Sequence, residues 1–265
     1  MAATSKRSNR MLLFAGRVLK EILRDPLSFI FCLGVPLVLL LAMYFLFSPT
    51  APWFELEFLT PGIAVFSGTF TMLYMTLLVS RDRSTWFLMR LYTSPMKDAD
   101  FVLGYALSGV LVGMCQVLIC WLTAVVVGLC AGNTGWISWR ILPAALCILP
   151  MIAGFVAVGI LFGSLFSDKA APGLSSIVIS GAGFLSGAWM PIETLSEGFQ
   201  SFCAALPFYP AVQCGRCLLI GKNILGEPMG MDVFRRHFAV TVIYAVVLTV
   251  CAVLAFKLKA RREAD

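Results

Sequence analysis

"FLTPGIAVFSGTFTMLYMTLLV", residues 58–79, is a run of 22 residues without a charge. One residue later comes "RDRSTWFLMRLYTSPMKDADFVLGY", residues 81–105, in which seven of 25 side chains are charged. An α-helix rises about 1.5 Å per residue, so about 20 apolar residues cross the ~30 Å hydrocarbon core of a bilayer. The first stretch has that length, and the second is a compact charged and aromatic island at its end. Working outward, the charge-free runs recur: Leu27–Phe47, Phe101–Trp139, Ile141–Ser167, Ala170–Ile192 and Phe238–Phe256.

These runs predict an all-α integral membrane protein with six transmembrane helices in a single domain covering residues 1–265. The spans are expected at about 27–47, 58–79, 101–130, 141–167, 171–192 and 238–256. Composition agrees: 60% of residues are hydrophobic and 13% charged, half the charge of an ordinary soluble domain. The mean hydropathy is +0.90. Ser201–Gly215 is apolar but too short to cross, and Pro207 and Pro210 interrupt it. It reads as a re-entrant outer segment between helices 5 and 6.

The +6 net charge is dispersed between the apolar runs rather than gathered on one face, which argues against a nucleic-acid partner. With six spans, fifteen Lys and Arg residues fall on the side of the termini and the island, and five on the other. The positive-inside bias therefore places both termini and the island in the cytoplasm of a cell-membrane protein. Trp53, Trp136, Trp139 and Trp189 fall near the other interface, where an amphipathic ring prefers to sit. The first span follows 26 residues carrying six positive charges, so no cleaved leader is expected. Residues 10–24, "RMLLFAGRVLKEILR", set Arg17, Lys20 and Arg24 among apolar side chains, the pattern of an amphipathic helix lying in the inner interface. Asp25-Pro26 should then end it.

The spans hold no ionisable residue, and Gln116 is the most polar side chain at depth. A proton- or ion-coupled carrier ordinarily keeps such residues inside its spans. No catalytic constellation of acids, bases or metal ligands is visible. His237, the single histidine, sits at the mouth of the last span, and Asp168 with Lys169 reads as a local ion pair in a tight turn. "CGRC" (Cys214–Cys217) has dithiol spacing but no second Cys/His pair, leaving a disulfide with Cys203 as an open alternative. "GKN" at 221–223 lacks the first glycine of a phosphate loop, position 216 being Arg, and has Asn223 where Ser or Thr is required. Small residues in Gly173–Trp189 allow close helix approach, as a packing seam or as part of a transport pathway.

Three stretches, in order, resemble the permease subunits of type-2 ATP-binding-cassette (ABC) exporters. They are "KEILRDPLSFIFCLGVPLVLLL" (20–41), the island ending "RLYTSPMKDADFVLGY", and "FLSGAWMPIETLSEGFQSFCAALPFYPAV" (184–212). The resemblance implies an interfacial helix before span 1, a cytoplasmic coupling segment at 81–97, a re-entrant hairpin after span 5, and a second permease copy. It also implies a separate cytoplasmic ABC ATPase that carries the ATP and Mg. Around the coupling turn, Asp82, Arg83, Leu88, Arg90, Leu91 and Pro95 match the family pattern. Trp86 and Phe87 stand where Gly-Thr is usual, and Met89 where Glu is usual, giving a more apolar contact surface. The residues expected to meet the ATPase are Asp82, Arg83, Trp86, Phe87, Met89, Arg90 and Pro95. The expected function is export of an amphiphilic drug-like or lipid-like substrate. Export of a polysaccharide or lipid-linked glycan is the alternative, and a nucleotide-independent channel or scaffold the rival of another class.

Overall fold

The computed structural model describes the backbone of residues 2–84 and 98–264, and the side chains of 11–25, 30, 32–84 and 99–258. Among these residues every regular element is helical. In chain order they are α1 (Ala2–Arg24), α2 (Pro26–Phe47), α3 (Leu56–Ser84), α4 (Asp98–Ala131), α5 (Ile141–Leu146) and α6 (Leu149–Leu165). After these come α7 (Ala171–Leu185), α8 (Glu197–Ala205), α9 (Phe208–Leu219) and α10 (Met231–Ala264). Among the residues whose side chains are described, four stretches are long and apolar enough to cross a membrane: Leu56–Ser84, Ala99–Ala131, Ile141–Leu165 and Met231–Leu258. The chain is a multi-pass membrane protein.

Proline and glycine decide where the helices stop. Pro26 follows Asp25, the non-helical residue between α1 and α2, because the residue before a proline is pushed out of helical geometry. The expected unbroken helix over 141–167 is interrupted at Cys147–Ile148, since Pro150 brings no N–H and restarts a helix in its first turn. The expected fifth span, 171–192, is helical only to Leu185. Gly187 then adopts a φ of +65°, which a side chain would disfavour, and Pro191 prevents the helix from resuming. At 15 residues α7 is about 22 Å long, short of the hydrocarbon thickness. The re-entrant segment is a hairpin of α8 and α9 that turns at Leu206-Pro207.

Helix α3 is the hub. It packs against α2, α4, α6, α7 and α9, while α6 also carries α10. The most extensive seam is α3 on α6. A Cβ on Gly159 would lie 2.6 Å from the Met72 carbonyl oxygen, and one on Gly163 2.8 Å from that of Thr76. Gly159 and Gly163 form a G-x-x-x-G pair, the spacing that lets two apolar helices touch backbone to backbone. The sequence reading placed its small-residue seam at 173–189 and missed this one. Depth is also crossed by hydrogen bonds: Thr71 donates to Gln116 Oε1 at 2.8 Å, and Gln116 donates to the Cys32 carbonyl. The most polar deep side chain is thus spent tying α2, α3 and α4 together.

Trp136 departs from expectation. It is 4% exposed, with its ring beside Gly128, whereas Trp139 is 80% exposed. Only the second has the freedom of an interfacial anchor.

The α3–α6 seam yields a test. Gly159→Ala must push two backbones apart and should cost about 1–3 kcal/mol, read as a lower apparent Tm in detergent. Gly173→Ala has open space around its Cβ and should change stability by no more than about 1 kcal/mol, in the stabilising direction.

Candidate functional site

Two polar clusters stand at opposite ends of α3. At the island end, Asp82 is buried on the last turn of α3 and accepts a hydrogen bond from the Tyr105 hydroxyl of α4 at 2.5 Å. Arg17 of α1 lies 3.7 Å from the other Asp82 oxygen and 3.1 Å from Glu21. Beneath this network, Phe14 packs edge-on against Phe101 and Tyr105, and Ser108 donates to the Ala15 carbonyl at 2.8 Å. The interfacial helix is therefore not merely adsorbed on lipid. Phe14, Val18 and Ile22 are buried against the bundle, while Lys20 and Arg24 stay exposed.

Next to Asp82, Arg83 turns the other way. Its guanidinium donates to the carbonyls of Gly163, Ser164 and Phe166. These are the carbonyls left over where α6 ends, and a cation there also meets the negative end of the helix dipole. Asp168, just beyond, makes no ion pair with Lys169. The Ser84 and Ser80 hydroxyls, then Arg83 and Arg81, hold its carboxyl below the ordinary carboxylate range. Four helices, α1, α3, α4 and α6, are thus joined at one level by two adjacent residues of α3.

The structure places Asp82 and Arg83 within the bundle, on α1, α4 and α6. Trp86, Phe87, Met89, Arg90 and Pro95 lie outside the described residues. The described chain leaves α3 at Ser84 and resumes in α4 at Asp98, about two turns before Tyr105.

The opposite cluster went unread in the sequence. Arg216, counted there as a loop charge, is fully buried on α9. Its Nε donates to the Phe58 carbonyl at 3.1 Å and its Nη2 to the Gly187 carbonyl at 2.8 Å. Glu193 Oε1 accepts from Tyr209 at 3.1 Å and from Gln213 at 2.5 Å. Glu193, Tyr209 and Gln213 all stand in or beside the stretch 184–212, so that stretch is a polar staple for the hairpin. One signal could have revealed it: a lone Arg followed by four apolar or small residues in "RCLLI", too close to the hairpin to sit in open loop. His237 packs its ring edge-on against Tyr209, 6.0 Å between centroids, as a packing residue. Cys203, Cys214 and Cys217 are free thiols, so the disulfide alternative is not realised. No cluster of metal ligands occurs among the described residues.

Arg216 should be costly to remove. Arg216→Leu leaves two buried carbonyls without this donor, a penalty of about 1–3 kcal/mol each. We expect a large fall in apparent Tm, against little change for Arg235→Leu at the exposed start of α10.

The comparisons with known proteins agree with this architecture. Nodulation protein J of Rhizobium leguminosarum bv. viciae is 29% identical over 237 residues, covering 85% of this chain and 81% of that protein. The model of the ABC-2 type transporter family matches residues 10–219, from the interfacial helix through the hairpin. The chain belongs to the ABC-2 type transporter family and is a permease component of that type.

Proposed function

We propose that this chain is the membrane half of an exporter that moves an amphiphilic, drug-like or lipid-like substrate out of the cytoplasm. ATP would be hydrolysed on a separate ABC ATPase, the normal partner of permeases in this family. The observation that carries the reading is the joint at Asp82 and Arg83. A force applied to the segment between α3 and α4 enters through residues bonded to α1, α4 and α6. It therefore moves several helices together instead of bending one loop. Trp86, Phe87 and Met89 supply apolar anchors for the ATPase, and Arg90 a charged one, the residue types that dominate such interfaces. The charge-free runs, such as residues 58–79, support an apolar substrate body.

Two copies of the chain would enclose the path, and the exposed apolar faces of α4, α7 and α10 leave ample surface for lipid and for a second copy. Six crossings, with α7 as the short one and both termini in the cytoplasm, fit the fifteen-to-five distribution of Lys and Arg.

Coupling is tested by Trp86→Ala combined with Arg90→Glu. ATPase co-purification and ATP-dependent efflux of a fluorescent amphiphile should both fall at least tenfold, with insertion unchanged. Normal efflux in that variant, or efflux that needs no ATP, would sink the coupling role. Topology is tested separately. In a cysteine-free background, Cys placed at Ser5 or Ala264 should resist an impermeant thiol reagent in intact cells, and Cys at the exposed Thr194 should react.

A further inference from the structure

At the end of α3 away from the island is a cavity of about 380 Å³ that neither the transport reading nor the hairpin staple uses. Its walls come from three separate segments. Glu57 stands in the first turn of α3, Trp136, Ser138 and Arg140 on the loop between α4 and α5, and Leu219 and Lys222 at the end of α9. The segments are fixed to one another. Arg216, one turn before Leu219, holds the Phe58 carbonyl, and Phe58 is itself part of the wall. Lys222 sits on a closed turn in which the Met229 N–H donates to the Gly221 carbonyl at 2.8 Å and the Asn223 N–H to that of Glu227 at 2.9 Å. Trp136 is 4% exposed, and its indole N–H has no hydrogen-bond partner.

The lining is rich in donors. Arg140 and Lys222 bring two cations. The backbone N–H of Arg140 donates to Ser138 Oγ at 3.3 Å, which leaves the Ser138 hydroxyl proton available. Against these stands one carboxylate, Glu57. Two cations beside a hydroxyl donor suit a set of phosphate oxygens, and one acceptor beside them suits a hydroxyl or ammonium on the same headgroup. Exposed apolar surface also adjoins the cavity. Trp139, next to Arg140, is 80% exposed, and Leu142 and Leu146 below it are 61% and 50% exposed. Acyl chains leaving the cavity would run along that apolar strip.

We propose that this cavity is a binding site for a phosphate ester, a glycerophospholipid headgroup or a soluble phosphate ester of the same chemistry. The site is independent of the transport reading and stands or falls without an ATPase.

The test uses the full-length chain in nonionic detergent and measures binding of dioleoylphosphatidylglycerol by native mass spectrometry and thermophoresis. Dioleoylglycerol, sn-glycerol 3-phosphate and inorganic phosphate serve as further probes. The double variant Arg140→Gln/Lys222→Gln alters exposed side chains and should weaken phosphatidylglycerol at least tenfold. Arg235→Gln/Arg236→Gln removes two charges from the start of α10 and should change nothing. Competition by glycerol 3-phosphate at matched concentration assigns the site to soluble esters, and its failure to compete assigns it to lipid. The proposal is overturned if dioleoylglycerol binds equally well, if Arg140→Gln/Lys222→Gln binds like the parent, or if the Arg235/Arg236 control loses as much.

Discussion

Carbonyl groups at the ends of helices have no partner within the helix, and hydrocarbon offers none. The described bundle breaks its helices near the membrane at several points, and two arginines answer two of those breaks. Arg83 gives its guanidinium to the end of α6, and Arg216 bridges the turn after α7 to the start of α3. A guanidinium suits both jobs, because its planar fork carries five N–H groups and can reach several carbonyls at once. Remove these donors and the carbonyls at those breaks, which proline and glycine impose, lose these partners. The α8–α9 hairpin and the last turn of α6 would then have to rebuild their contacts.

Because both arginines grip α3 or lie on it, the two ends of the molecule are mechanically related. The island joint involves the last turn of α3, and the staple seizes its first. Between them run the glycine seam with α6 and the Thr71–Gln116 bridge to α4. Such a rod transmits displacement without needing a special relay of side chains. Densely packed helices tend to move as bodies rather than deform continuously. A displacement at Asp82 and Arg83 therefore has a direct material route to Phe58 and the hairpin.

Much of this was legible in the chain and some was not, for a common reason. Length and charge marked the apolar runs, and Asp25-Pro26 and Leu206-Pro207 marked breaks, because these signals are local. Which face of each helix is buried was not legible, since lipid and protein interior are equally apolar and leave no periodicity to read. Hence the contact of Gly159 and Gly163 with α3 needed coordinates, although the spacing itself was visible. Charge misled in the same way. Asp82, Arg83 and Arg216 look like loop residues because charges are usually solvated. Their partners are backbone carbonyls and a tyrosine far away in sequence. Trp136 and Trp139, three residues apart and identical in type, have opposite fates that only packing decides.

The central position of α3 has a consequence for how the protein is made. In the finished bundle 83% of its most apolar stretch is covered by protein, and of the four long helices it is the least apolar. Yet it leaves the ribosome before α4, α6, α7 and α9, the neighbours that will cover most of it. During synthesis it must lodge in the membrane with its glycines, threonines and Pro61 facing lipid or the insertion machinery, held mainly by α2. Its committed residence there depends on segments not yet translated. Premature termination before α6 would leave a polar-speckled helix without its most extensive neighbour, a natural substrate for membrane quality control.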